Sequence, residues 1–105
     1  MKKLFISQPM RGKTNEEILA ERQKAFEIAE ETLGEKLELI DSFFDRTPKE
    51  EKTLYNLAKS LELLAGADVA FFAKGWEAAR GCKIENLCAI EYGITVIESY
   101  RGVRT

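Results

Sequence analysis

Residues 67–93 read ADVAFFAKGWEAARGCKIENLCAIEYG, and this stretch decides the fold. Its first part, 68–73, is a nearly continuous apolar run, which is typical of a strand buried on both faces of a parallel sheet. A polar loop with a glycine near each end follows at 74–81. Helical spacing then predicts a helix over 82–92 that ends at Gly93. A buried strand followed by a loop and a helix predicts an α/β domain.

Three further strands are predicted outside this stretch. They lie at Lys2–Ser7, 37–41 and 94–97, so that strands and helices alternate as β-α-β-α-β-α-β. Right-handed crossovers then make the sheet parallel. We expect a flavodoxin-like three-layer sandwich whose four strands lie in the order 2-1-3-4. The tail, 98–105, is expected either to add a short fifth element or to be loose.

Two helices are predicted between the first three strands. Thr14 and Glu17 form a capping-box pattern at the start of the first helix, and Gly34 is a natural stop. Thr47 followed by Pro48 is a typical start for the second helix. The residues expected to face the core are Ile18, Leu19, Arg22, Ala25, Phe26, Ala29 and Leu33 on the first helix, and Leu54, Leu57, Ala58, Leu61 and Leu64 on the second.

Composition excludes several classes of function. The 105 residues are predicted to form one domain, 1–105, and the net charge of −2 gives no basic footprint for nucleic acid or an anionic membrane. No apolar run is long enough for a membrane span or a signal peptide, so we expect a cytoplasmic protein. The chain has no histidine, and Cys82 and Cys88 have the spacing of neither a disulfide nor a metal pair. We therefore expect no metal and no organic cofactor.

The topology also predicts where a ligand would bind. In open parallel sheets, ligands lie outside the carboxyl ends of the strands, at the point where the strand order reverses. Three loops are expected to meet there: 7–13, 41–47 and 74–81. Their polar residues are Ser7, Gln8, Arg11, Asp41, Ser42, Asp45, Arg46, Glu77 and Arg80.

The loop Gln8-Pro9-Met10-Arg11-Gly12 has the composition of an anion cradle. Gly12 lets the backbone approach a ligand, Arg11 can hold a phosphate through two hydrogen bonds, and a helix begins close by. The alternative interpretation is an ordinary strand-to-helix turn with an exposed arginine.

Glu85 is the candidate nucleophile. A carboxylate at this place can attack an anomeric carbon and form a covalent glycosyl-enzyme intermediate. The residues that share its helical face are small and leave room beside it: Gly81, Cys82, Cys88 and Ala89. The alternative is a solvated glutamate on a surface helix. Glu91 is an alternative candidate for the nucleophile. It lies on the side of the helix that we expect to face the sheet.

The aromatic residues near these loops have two interpretations each. Trp76 lies on no periodic stripe and is expected either to stack on a base or to plug the edge of the core. Phe43 and Phe44 are expected in the core or in a subunit interface. Asp68 is expected at the amino end of the third strand, where it would tie down the preceding turn.

Three motifs carry a resemblance: ISQPMRG at 6–12, TNEEI at 14–18, and ADVAFFAKGW with RGCKIENLCA at 67–89. On these motifs the chain resembles the nucleoside 2-deoxyribosyltransferase-like superfamily, and looks closest to its small phage-associated and bacterial members. The resemblance implies a flavodoxin-like sheet and cleavage or transfer at the N-glycosidic bond of a nucleoside or deoxynucleoside 5′-monophosphate. It implies no cofactor, no nucleic acid polymer and no membrane, and it implies a homo-oligomer, a dimer or larger.

The same resemblance assigns roles to residues. Glu85 fits the Gly-x-x-x-Glu pattern of the nucleophile, with Gly81 as its glycine. The loop at 6–12 resembles the phosphate- or sugar-side loop, so the implied substrate contacts are Ser7, Gln8, Met10, Arg11 and Gly12. By their positions in or beside the three loops, the further candidate substrate contacts are Pro9, Asp41, Trp76, Arg80 and Gly81. The chain departs from the pattern at Ser60 and Arg80, where the family usually has aspartates.

Three functions are consistent with these residues. The first is an N-glycosidase or deoxyribosyltransferase-like enzyme that uses Glu85. The second is a non-catalytic nucleotide-binding module, a sensor of the same fold, which the departure at Ser60 favours. The third is a protein that only self-associates through its aromatic loop.

Overall fold

The computed structural model describes residues 1–42, 53–99 and 102–104. It contains five strands, three α-helices and one short 3₁₀ turn in these residues. In chain order they are β1 (Lys2–Ser7), α1 (Asn15–Leu33), β2 (Leu37–Leu39), α2 (Thr53–Ala65), β3 (Val69–Phe72), the 3₁₀ turn (Trp76–Ala78), α3 (Arg80–Glu91), β4 (Thr95–Glu98) and β5 (Gly102–Arg104).

The strands form one sheet in the order β2-β1-β3-β4-β5. The first four strands are parallel, which confirms the predicted flavodoxin-like α/β fold and the order 2-1-3-4. The tail adds a fifth strand, β5, that pairs antiparallel with β4. An antiparallel neighbour needs only a short connection, so a strand can form here without a further helix.

Side-chain alternation along the strands divides the core into two layers. Leu4, Ile6 and Phe71 point to the face that α1 covers, where they pack with Ala25 and Ala29 of that helix. The opposite face carries the second layer, which α2 and α3 cover. Its buried members are Phe5, Leu64, Ala70, Phe72, Trp76, Cys82, Ala89 and Val96.

Helix α1 begins and ends as its sequence predicts. The Glu17 N–H donates to Thr14 Oγ1 at 3.1 Å, and the Thr14 N–H donates to Glu17 Oε1 at 2.8 Å. Gly34 ends the helix in the left-handed conformation, with φ of +69°. The expectation for Leu19 is wrong, because half of its side chain is exposed. Leu19 lies about 100° around the helix from Ile18, which takes the buried position.

The predicted apolar stripe of α2 is partly wrong. Leu54 is 73% exposed and Ala58 is exposed, whereas the buried row consists of Asn56, Ser60 and Leu64. These three residues are spaced at intervals of four, so they form one helical face. Two of them are polar, and a search for apolar periodicity cannot detect such a face.

Several boundaries differ from the prediction by one or two residues. β2 ends at Leu39 instead of 41, α3 begins at Arg80 instead of Cys82, and the 3₁₀ turn was not predicted. The predicted helix start at Thr47 and Pro48, and the loop residues Phe43, Phe44, Asp45 and Arg46, lie outside the described residues. Within the described ranges, no helix is both long and apolar enough to cross a membrane.

Candidate functional site

The last residues of three parallel strands form a row at the carboxyl edge of the sheet. Ser7 of β1 is in register with Phe72 of β3, which is in register with Glu98 of β4. Adjacent strands lie about 4.8 Å apart, so Ser7 and Glu98 are separated by about 10 Å with Phe72 between them. All three point to the face that α2 and α3 cover. The row therefore lies where the fold predicts a ligand site.

Glu85 is held against this row. Its side chain is only 7% exposed, and Ser7 Oγ donates a hydrogen bond to its Oε1 at 2.6 Å. That length is in the range of a well-formed O–H···O hydrogen bond. The alternative of a solvated surface glutamate is wrong, because α3 turns this residue toward the sheet. The fold thus brings together two side chains that are 78 positions apart.

The next residue of α3 makes the corresponding contact on the other side of Phe72. Asn86 Nδ2 donates to Glu98 Oε2 at 3.2 Å, and Glu98 is completely buried. Sequence analysis missed both residues. The available signal was strand alternation: Val96 and Glu98 share a face, so a helix that buries Val96 also buries Glu98.

Glu91 is not placed to compete with Glu85. The expectation that its side of α3 faces the sheet is wrong, because Leu87 on that side is 59% exposed. Glu91 itself, in the last turn, is exposed. The residues of α3 that face the protein are Cys82, Glu85, Asn86 and Ala89. Small residues at two of these positions let the helix lie close to the sheet.

Gln8 is fixed by a buried arginine of α1. Arg22 Nη1 donates to Gln8 Oε1 at 3.2 Å, and Arg22 Nη2 donates to Ser42 Oγ at 3.0 Å. The Gln8 amide nitrogen donates to the Ile18 carbonyl at 3.2 Å. Burial lowers the pKa of the Arg22 guanidinium, and the nearby Asp41 carboxylate opposes this effect. Both ends of the Gln8 amide are therefore engaged within the protein, so Gln8 orders the loop.

The loop after Gln8 presents its arginine to solvent. Pro9 and Met10 are half-buried, Arg11 and Gly12 are exposed, and Gly12 has a φ of +78°. No atom of the described residues would lie within 4 Å of a Cβ at Gly12, so its role is conformational. Lys13 is paired with Glu21 at 2.9 Å. Arg11 is thus the side chain of this loop that is best exposed to an anion.

The N-terminus of α1 is a poor anion site. Its capping box already engages the Glu17 N–H, and Glu16 and Glu17 place two carboxylates in the first turn. Negative side chains there would repel a phosphate. Helix α3 differs: no side chain of the described residues caps it, and its first turn has no acidic residue.

The remaining predicted site residues surround the start of α3 or follow β2. Asp41 and Arg80 are exposed, and Gly81 is half-buried. A Cβ atom added at Gly81 would lie 4.0 Å from Leu57 Cδ1. Trp76 is 7% exposed. The centroids of the Trp76 and Phe72 rings are 5.7 Å apart, and the ring planes are inclined at 58°. Trp76 therefore plugs the edge of the core. Its indole Nε1 has no hydrogen-bond partner among the described residues.

Asp68 precedes β3 at the amino edge of the sheet, as expected, but the contact that its side chain makes is with β1 and not with the preceding turn. Its Oδ2 accepts from the Lys3 N–H at 2.7 Å, so it ties the start of β3 to that of β1. Neither Cys82 nor Cys88 forms a disulfide bond. Among the described residues there is no cluster of three or more histidine, cysteine or acidic side chains that could hold a metal ion.

Two open cavities lie away from Glu85. The larger, about 640 Å³, is at the amino edge between α2 and α3, and Leu64, Asp68 and Ile94 contribute to its lining. The smaller, about 390 Å³, is beside α1 on the other face and includes Phe71 in its floor. Neither is lined by Ser7 or Glu85. The site is therefore identified by its buried polar residues and not by a cavity.

Comparison with known proteins gives no match: no family model, no curated protein and no solved structure is significantly similar to this chain. The function has to be inferred from the residues of the chain itself.

Proposed function

We propose that this chain cleaves or transfers the N-glycosidic bond of a nucleoside or deoxynucleoside 5′-monophosphate, with Glu85 as the nucleophile. The observation that carries the proposal is the buried Glu85 carboxylate, which Ser7 orients at the carboxyl edge of a parallel sheet. The resemblance of the ISQPMRG and GCKIE motifs to the nucleoside 2-deoxyribosyltransferase-like superfamily supports the same assignment.

The chemistry follows from the position of this carboxylate. A Glu85 oxygen attacks C1′ of the sugar, the bond between C1′ and the base nitrogen breaks, and its electron pair leaves with the base. Water or a second base then attacks C1′, and the ester bond to Glu85 breaks, which restores the carboxylate. Ser7 holds the nucleophile in one orientation during both steps.

Other residues of the edge supply binding and a proton. Arg11, exposed on its loop, is placed to hold a 5′-phosphate through two hydrogen bonds. Met10 is a better candidate than Trp76 for packing on the base, because Trp76 is buried in the core. The departing base needs a proton, and Asp41, exposed after β2, is our candidate acid by its location.

A second candidate is a nucleotide-binding module without turnover. Ser60 takes the position of a family aspartate, and it is buried at 4% exposure on α2. A hydroxyl cannot replace a carboxylate that protonates or orients the leaving base. In this case Glu85 and Ser7 would serve only to anchor α3.

Self-association accompanies either function in our proposal. Leu54 and Tyr55 on α2, Leu87 on α3, and Tyr92 just after α3 expose more than half of their surface. Where such side chains form a contiguous apolar patch, they mark an interaction site, so we propose them as the contact residues. A mass measurement in solution, by light scattering after gel filtration, gives the oligomeric state directly.

The experiment combines a thermal-shift screen with product analysis. Deoxynucleosides and their 5′-monophosphates are tested for stabilisation, and each one that stabilises the protein is followed by chromatography for free base. We expect stabilisation with base release by the wild-type protein, binding without release by Glu85→Gln, and normal release by the matched control Glu91→Gln. Turnover that survives Glu85→Gln would exclude this nucleophile, and binding without release by the wild type would favour the sensor.

A further inference from the structure

Two consecutive residues of α3 form hydrogen bonds with the last row of the sheet, one on each side of Phe72. Glu85 accepts from Ser7 on β1, and Asn86 donates to Glu98 on β4. The geometry points to Asn86 and Glu98 as positioning residues that hold Glu85 against Ser7. Their effect on turnover rests on the proposed function, whereas their effect on the contact between Ser7 and Glu85 does not.

Packing alone does not account for Glu98. Its side chain is completely buried, on the same face as the buried Val96 two residues earlier. An apolar side chain would fill this position without the free-energy cost of removing a carboxyl group from water. Unlike such a side chain, Glu98 accepts a hydrogen bond from Asn86.

The two contacts together fix the rotation of α3. Successive helical residues lie 100° apart around the axis, so Glu85 and Asn86 point toward different strands. With the contact to β4 removed, α3 loses one of the two hydrogen bonds described between it and this row and keeps the one to β1. A roll of about 10° moves a carboxylate that lies about 6 Å from the helix axis by about 1 Å. A displacement of that size can reduce the rate of a positioned reaction by about 10²-fold.

Neither residue is placed to touch a substrate. Glu98 has no exposed surface, and the Asn86 amide donates to Glu98 within the protein. Their action on the reaction therefore passes through Glu85. Loss of Asn86 should lower kcat and leave KM nearly unchanged, because the residues that would bind the substrate stay in place.

The first test is a double-mutant cycle that needs no substrate. Urea unfolding is measured for wild type, Ser7→Ala, Asn86→Ala and the double variant. We expect Ser7→Ala to lower the urea midpoint less when Asn86 is already alanine, because Glu85 no longer meets Ser7. Glu98→Gln keeps an acceptor for Asn86. In a Glu98→Gln background, Ser7→Ala should therefore lower the urea midpoint as much as it does in the wild type. Glu30→Gln, which alters a contact with Leu37 at the amino edge, is the control and should be additive with Ser7→Ala.

The second test measures base release by the folded variants. We expect Asn86→Ala to lower kcat by about 10-fold to 10²-fold, with Glu98→Gln close to wild type. Additive unfolding effects of Ser7→Ala and Asn86→Ala would overturn the inference, and an unchanged kcat in Asn86→Ala would do the same. A wild-type protein without turnover, but with non-additive unfolding effects, would refute the proposed function and leave the positioning role supported.

Discussion

Replacing Ser7 by alanine tests the contact on which the site depends. The hydrogen bond from Ser7 Oγ to Glu85 Oε1 is 2.6 Å long, and the two side chains are 3% and 7% exposed. Removing one partner of a buried hydrogen bond costs about 1–3 kcal/mol, and water cannot readily replace the donor at this depth. We therefore expect Ser7→Ala to lower the free energy of unfolding by about 1–3 kcal/mol. That is a large share of the roughly 5–15 kcal/mol by which a domain is stable.

The assay is equilibrium unfolding in urea, followed by the fluorescence of Trp76, the single tryptophan of the chain. With an m value near 2 kcal/mol/M, the midpoint should fall by roughly 1 M. The matched control is Ser99→Ala, because Ser99 Oγ is buried and has no partner among the described residues. This control should leave stability unchanged or slightly raised. If Ser7→Ala costs less than about 0.5 kcal/mol, as an ordinary surface substitution does, Ser7 does not hold Glu85 and the reasoning fails.

Two further predictions concern the helix cap and the core beside the site. Hydrogen bonds from the Thr14 backbone and then its side chain lower the pKa of Glu17 below 4.5, so its contribution to stability is present above that pH and disappears as pH falls through the lowered value. When the pH is lowered below 4.5, the urea midpoint of the wild type should therefore decrease by more than that of Glu17→Gln. Equal decreases in the two proteins would contradict the predicted direction of the pKa shift. Trp76→Ala should cost about 3–5 kcal/mol, because it empties a core position against Phe72, whereas Trp76→Phe should cost far less; calorimetry of both variants gives the comparison.

Much of the fold could be predicted because its signals are local. The capping box at Thr14, the glycine stop at Gly34 and the apolar run of β3 each depend on a few neighbouring residues. The order of the parallel strands follows from alternation and the handedness of crossovers, and the structure confirms it. β5 carries no such signal, since a three-residue strand beside an edge is stabilised by its partner β4 and not by its own pattern.

The site could be predicted only in part, because burial of a polar side chain is decided by distant elements. The loop and helix positions of Ser7 and Glu85 were predicted from sequence, but their contact depends on how α3 lies over β1. Asn56 and Ser60 form the buried face of α2 together with Leu64, and apolar spacing selected the wrong neighbours for them. Glu98 was not singled out, although strand alternation places it on the face of Val96.

The distribution of buried polar residues is the strongest argument that this edge has a function. The described part of the chain buries nine polar or charged side chains: Ser7, Gln8, Arg22, Ser42, Asn56, Ser60, Glu85, Asn86 and Glu98. Each belongs to the end of a strand, to the loop after it, or to a helix segment that the topology places near the carboxyl edge. At the amino edge, Asp68 ties two strands together with an exposed carboxylate, so anchoring does not require burial. Burying polar groups lowers stability unless each is well paired, and proteins concentrate such departures at functional sites. An edge that needed only to be closed would be closed more stably by apolar side chains, so this distribution supports the proposed location of the site at the carboxyl edge.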